Sequence, residues 1–304
     1  MSSVFQRPGD PYIYLSVDNK WYCYDPNEAP LGGGSMGTVY RGYNVETGER
    51  IAIKRVIDRY ANNEMIRERA KLEASLAFRH HNLVEMIGYC ETNNTKGPIF
   101  ILSKYVNGEN VDKFIERLPD TPDKVEKICR IIYMVLDALE YIHSRGVVHR
   151  DIKPSNIMVE HGSNVRLMDL GIARMNSGNN FSHMGFIGTP QYSAPEQIIR
   201  DTTGATPICA ATDIYALGIT LYELITGNNP FASEREAETL MRQMKDAIPE
   251  NKKIPRPLFA VLRKATSKSA ADRYQTAAEF KAAIEASFIP PQTLWQRFVN
   301  WLKK

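Results

Sequence analysis

The stretch "VVHRDIKPSNIMVEHGSNVRLMDLG", residues 147–171, gathers His149, Arg150, Asp151, Lys153, Asn156 and Asp169 around two short apolar runs. Groups of this kind are costly to bury without partners, so their concentration predicts a site. "NIMV" and "VRLM" flank "EHGSN" and should pair as an antiparallel hairpin. A turn centred between Gly162 and Ser163 sets Asn156 opposite Asp169, so two oxygen-bearing side chains meet at the open end. Hard cations such as Mg²⁺ take one or two protein oxygens of this type and complete their shell with phosphate and water. Asp151 stands close enough before Asn156 to reach the same cleft. Taken singly, Asp151 and Asp169 are also ordinary turn residues; their joint spacing favours the site.

A second set lies upstream, where "LGGGSMGTVY" carries Gly32, Gly34, Gly37 and Val39. Spaced glycines alone fit a flexible loop as well as a phosphate cradle. These sit between a short strand and the strand "TVYRGY" rather than ahead of a helix, which disfavours a dinucleotide-binding βαβ unit. In a strand-turn-strand the missing side chains let backbone N–H groups approach phosphates. Lys54, in "IAIK" on the next strand, is either a cation for that site or a solvated strand-end lysine.

The elements that must carry these residues change character along the chain. "YIYLSVDNKWYCY" alternates about Asp18-Asn19 and predicts a hairpin; "GTVYRGYN" and "ERIAIKRVID" predict strands joined by "VETGE". A helix is expected from about Asn63 to Phe78, with Met65, Leu72 and Leu76 on one stripe, and "IFILSKYV" predicts another strand. Beyond Asn107-Gly108, the expected boundary between lobes, "KVEKICRIIYMVLDALEYIHSR", "DIYALGITLYELITG" and "TAAEFKAAIEASF" read as helices.

Composition excludes several classes. An apolar fraction of 43% with 24% charged residues describes a globular chain, and 304 residues leave room for one large domain or two lobes. With 38 basic against 35 acidic residues interspersed, nothing argues for nucleic-acid binding. Cys23, Cys90, Cys129 and Cys209 form no CxxC pair and are too few for a disulfide scaffold, which fits a reducing compartment. The N-terminus lacks a signal-peptide pattern, and no run approaches the roughly 18 uncharged apolar residues of a membrane span. A cytoplasmic location is expected.

"HRDIKPSN" followed by "DLG" resembles the catalytic and metal-binding loops of the eukaryotic-type protein kinase family, and its Asp-x-Lys-Pro-x-Asn order resembles the serine/threonine branch. Leu170 stands where the family usually has Phe. The resemblance implies an α+β, bilobal protein-kinase-like fold, with a small β-rich N-lobe and a larger, mainly helical C-lobe. It implies ATP and Mg²⁺ as cofactors and protein Ser/Thr hydroxyls as substrates. Asp151 would take or orient the substrate proton, Lys153 would steady the phosphoryl group, and Asn156 and Asp169 would hold Mg²⁺. Lys54 would meet the α- and β-phosphates. Leu31, Gly32, Gly33, Gly34, Gly37, Val39, Ala52, Ser103, Lys104, Val106 and Met158 would line the nucleotide site, with small Ser103 guarding the deeper pocket.

The family also pairs the strand lysine with a helical Glu, and here the usual position falls on Lys71. Glu68 and Glu73 are the candidates; Glu68 is favoured because Leu72 and Leu76 follow it at helical spacing. By resemblance Thr189 would touch Asp151, Glu196 would pair with Arg273, and Asp213 would anchor the catalytic loop. Arg150 suggests switching by a phosphate at Ser177, Ser182 or Thr189.

The sequence divides into an extension over 1–29 with an expected β-hairpin, a kinase-like N-lobe over 30–106, a C-lobe over 107–289 and an amphipathic tail over 290–304. Residues 293–304 of that tail could meet a partner, a membrane surface or the domain itself. A pseudokinase-like nucleotide-binding scaffold is the alternative to an active kinase.

Overall fold

The computed structural model describes residues 4–34, 37–56, 67–68, 70–71, 75–76, 78–92, 97–170, 189–199 and 207–289. Its N-terminal part is built on strand alternation. Among the described residues one sheet contains eight strands: β1 (Val4–Gln6), β2 (Ile13–Val17), β3 (Lys20–Tyr24), β4 (Gly32–Gly34), β5 (Gly37–Asn44), β6 (Arg50–Val56), β7 (Met86–Glu91) and β8 (Ile99–Lys104). They run in the order β1-β2-β3-β5-β6-β8-β7, with β4 paired to β5. Asp18 and Asn19, at φ 49° and 62°, make the two-residue left-handed turn between β2 and β3. That hairpin extends the sheet and covers it: Leu15, Val17, Tyr22 and Tyr24 share a core with Ile51, Ile53, Phe100 and Leu102.

Because successive strand residues point to opposite faces, burying Ile51 and Ile53 against the hairpin turns Ala52 and Lys54 to the other side of β6. On that side Ile99 and Ile101 of β8 pack with Val56 and Ala70. Ala70 belongs to the segment expected to be helical, which is helical at 67–68, 70–71 and 75. Among its described residues Arg67 and Ala70 are buried and Leu76 is half-buried; Met65 and Leu72 lie outside the described residues.

A second sheet of three strands, β9 (Gly108–Asn110), β10 (Ile157–Glu160) and β11 (Asn164–Leu167), lies at the start of the helical part. Its hairpin departs from expectation by one residue. Ile157 pairs with Leu167 and Glu160 with Asn164, so the loop is His161, Gly162 and Ser163, and Asn156 stands opposite Met168, not Asp169. The cause is local: His161 and Gly162 both adopt positive φ, 51° and 75°, a three-residue loop in place of an even turn.

Among the described residues from 107 onward the α-helices are α1 (Val111–Glu116), α2 (Lys124–His143), α3 (Pro195–Ile199), α4 (Ala210–Thr226), α5 (Glu236–Lys245), α6 (Arg256–Ala265) and α7 (Ala277–Ser287). In α2, Ile128, Ile131, Ile132, Val135, Leu139 and Ile142 recur at helical spacing and form its buried face. Helix α4 is buried along nearly its whole length, the pattern of a central pillar, and ends at Gly227, whose φ of 82° suits a left-handed cap. No helix among the described residues is long and apolar enough to cross a membrane.

Candidate active site

The segment 149–156 is held from below by α4. Asp213, fully buried in its first turn, accepts the backbone N–H of His149 at Oδ2 and of Arg150 at Oδ1, each at 2.7 Å. His143 Nε2 lies 2.8 Å from the same carboxylate. These bonds fix Arg150 at φ 68°, a conformation unfavourable for a residue with a side chain. His149, also fully buried, donates Nε2–H to the Met168 carbonyl at 2.9 Å and accepts the Asp151 N–H at Nδ1 at 3.3 Å. Burial lowers its pKa and so keeps the neutral imidazole that this pair of bonds requires.

Asp151 then projects into a cleft of about 750 Å³ between the lobes. Its carboxylate meets Thr189 Oγ1 at 3.1 Å, Lys153 Nζ at 3.2 Å and Asn156 Nδ2 at 2.9 Å, while Lys153 also donates to Thr189 at 2.9 Å. Asn156 Nδ2 donates a second time, to the Asp151 carbonyl at 2.8 Å. With the amide nitrogen committed to Asp151, the carbonyl oxygen is the end of Asn156 suited to a cation. Asp169, at φ 51°, turns its carboxylate to Lys54 Nζ at 3.2 Å. Burial works to raise the Asp169 pKa, but the charge and hydrogen bond of Lys54, then the charge of Lys153, hold it below the usual carboxylate range.

The upper wall contains Leu31, Gly32, Gly33, Gly37, Val39, Ala52 and Lys54, the back contains Ser103, Lys104 and Val106, and the floor contains Asn156, Met158 and Asp169. Gly34 pairs with Gly37 near the hairpin tip. Gly37 is required there: a Cβ would stand 2.5 Å from the Arg55 carbonyl oxygen. Lys104 turns away from the cleft, its ammonium 3.4 Å from Glu85 and its N–H donated to the Glu85 carbonyl at 2.9 Å.

Glu68 is a correction. Its side chain is 67% exposed, and its carboxylate pairs with Lys71 at 3.2 Å, not with Lys54. Its neighbour Arg67 is buried instead, bound to Glu91 at 2.5 Å and to the Gly97 carbonyl. Glu91 also accepts from Tyr89 at 2.7 Å and faces Lys71 at 3.5 Å. Glu73 lies outside the described residues. In the sequence this cluster is marked only by an acid closing the otherwise uncharged strand "MIGYCE".

Farther down, Arg273 and Glu196 form a buried two-pronged pair at 2.7 and 2.9 Å. Arg273 also donates to the carbonyls of Ser267, Ala211 and Lys268, and Thr212 Oγ1 donates to Glu196. Ser177 and Ser182 lie outside the described residues.

A cleft with a glycine hairpin and lysine above, and an aspartate, asparagine and second aspartate below, is a phosphoryl-transfer arrangement, and the sequence profile described as protein kinase domain matches residues 26–288. The chain belongs to the protein kinase domain family. It is 30% identical over 275 residues to the serine/threonine-protein kinase PrkC of Bacillus subtilis, a match covering 88% of this chain and 41% of that protein. It is 31% identical over 282 residues to the serine/threonine-protein kinase PknL of Mycobacterium tuberculosis, covering 91% and 68%. The chain thus spans from about two fifths to about two thirds of these relatives. The crystal structure of the M. tuberculosis PknI kinase domain superposes with a TM-score of 0.65 at 25% identity, covering 88% of this chain and 95% of that one.

Proposed function

We propose that the chain is a serine/threonine protein kinase that transfers the γ-phosphoryl group of ATP to a protein hydroxyl, with Mg²⁺ held by Asn156 and Asp169. The observation that carries this reading is the joint contact of Asp151 with Thr189, Lys153 and Asn156 at the floor of a cleft roofed by Lys54 and glycine backbone. Asp151 would orient the acceptor hydroxyl and take its proton, and Lys153 would meet the charge of the moving group. Lys54 would meet the α- and β-phosphates. Catalysis here is positioning and charge stabilisation. Two oxygens suit a Mg²⁺ shared with phosphates, and no larger group of His, Cys, Asp or Glu among the described residues forms a dedicated metal cage. Mg²⁺ bound there would neutralise charge on the β- and γ-phosphates.

Thr189 is tied to Asp151 and Lys153, which favours Ser177 and Ser182 over it as autophosphorylation acceptors. One observation favours the scaffold alternative: Lys71 occupies the position where the family places its lysine-pairing Glu. The deciding experiment incubates the full chain with γ-labelled ATP, Mg²⁺ and degenerate Ser, Thr or Tyr peptide libraries. Label in the Ser and Thr libraries alone is expected; label in none of them, with ATP still bound, would establish the scaffold instead.

A further inference from the structure

The turn that follows Thr189 is held by side chains from outside it. The carbonyl of Gln191, in the middle of the 3-10 turn Pro190–Tyr192, accepts from Gln243 Nε2 at 2.5 Å and from Asn229 Nδ2 at 3.3 Å. Gln243, on α5, is fully buried, and a polar side chain at such a position is normally accounted for by its partners. Its amide has a donor end and an acceptor end, and Tyr215 decides which faces the turn. The Tyr215 hydroxyl donates to Gln243 Oε1 at 2.5 Å, which leaves Nε2 for Gln191. Tyr215 is itself fully buried on α4, and its oxygen accepts from Lys268 Nζ at 2.8 Å. A hydroxyl has one proton, and both acceptors it meets belong to Gln243, Oε1 at 2.5 Å and the backbone carbonyl at 3.3 Å; the lysine is accepted on a lone pair and the shorter bond takes the proton to Oε1.

Lys268 is seated for this bond. Its ammonium lies 4.3 Å from the Phe231 ring centre and 5.2 Å from that of Tyr215, and its carbonyl accepts from Arg273. Burial, then the Arg273 charge, lowers its pKa to about 8, a cost that a solvated lysine does not bear.

We propose that Lys268, Tyr215 and Gln243 form a hydrogen-bonded relay that sets the 190–192 turn against Asp151 and so positions the part of a protein substrate next to its acceptor hydroxyl. All three are positioning residues. The relay rests on the kinase reading and adds to it a control of substrate docking from the far side of α4. Thr189, one residue from the turn, touches Asp151, so a displaced turn moves the surface beside the acceptor. The base end of the cleft, at Leu31, Ala52 and Ser103 to Val106, is built from other elements, so nucleotide binding should not follow.

The test uses the full chain and a Ser/Thr peptide selected with the wild type from a degenerate library. In Tyr215→Phe and in Lys268→Met, KM for the peptide should rise about tenfold, the scale of one lost buried hydrogen bond. KM for ATP and peptide-independent ATP hydrolysis should stay within about twofold. Lys268→Arg, which keeps a donor, should recover most of the peptide KM, and the Tyr215→Phe/Lys268→Met double variant should be no worse than either single one, as for groups acting as a unit. Lys268 is only half-buried, so its variant keeps the test open where Tyr215→Phe fails to fold. An unchanged peptide KM, additive effects, or a parallel fall in ATP hydrolysis would overturn the relay while leaving the kinase reading intact. A wild type that labels no peptide at all would overturn both.

Discussion

Below the cleft, Asp151 is placed through a chain of buried charge, from Asp213 to the backbone of His149 and Arg150 and on to Asn156. Above it, Lys54 arrives by alternation, because Ile51 and Ile53 on the same strand are buried against the N-terminal hairpin. The lower half holds a strained backbone with charges that have nowhere else to go, whereas the upper half holds its residues by strand register and by the close approach that glycine permits. The same reaction geometry should therefore fail in two different ways: loss of a buried charge below, steric displacement above.

The largest effect is expected from Asp213→Ala. It leaves the N–H groups of His149 and Arg150 and the ring of His143 without their shared acceptor, and should cost about 3–5 kcal/mol of stability, the range for breaking a buried charged contact. Urea unfolding measures this, and a loss below about 1 kcal/mol would break the contrast. Lys54→Met should show the opposite profile. The Lys54–Asp169 pair is partly exposed, at 21% and 42%, so stability should change by no more than about 1 kcal/mol, while phosphoryl transfer falls at least a hundredfold.

Gly37→Ala tests the upper half directly. Its Cβ would meet the Arg55 carbonyl, so β4 and β5 must shift, and KM for ATP should rise several-fold with a stability loss of about 1–3 kcal/mol. The smallest effect is expected at Ser103, which lines the cleft beside Met86 and Ile101. Ser103→Met should leave KM for ATP within about twofold and weaken binding of a purine inhibitor that carries a bulky aryl group; equal binding to both proteins would count against an open back pocket.

The same contrast explains what could be read in the sequence. The order of glycine hairpin, Lys54, Asp151, Asn156 and Asp169 is local pattern, and all of these except the tip of the hairpin line one cleft. Asp213, Glu196 and Arg273 were legible only through the resemblance to the kinase family, and their burial with hydrogen-bonded partners appears first in the structure. The hairpin register was not: "EHGSN" fits loops of two or three residues, and only the left-handed backbone at His161 and Gly162 decides between them. The slip matters less than expected because Asp169 leaves the strand at positive φ and reaches Lys54 by a turn, not by cross-strand pairing. Nor was the helical face legible, since Leu72 and Leu76 suggested a stripe including Glu68, whereas Glu91 on the sheet draws Arg67 inward. Gln243 carried no sequence signal, because a buried amide is recognised by partners distant in the chain.

The central claim is that Asp151 acts on the acceptor and not on the nucleotide. Transfer of labelled phosphate to a Ser/Thr peptide, measured beside calorimetric ATP binding with Mg²⁺ in wild type and Asp151→Asn, tests it most directly. The account predicts a rate loss of about 10²–10⁴, the range for a positioned general base, with ATP affinity changed less than threefold. Equal transfer rates in the two proteins, or transfer and ATP affinity lost together in proportion, would contradict it.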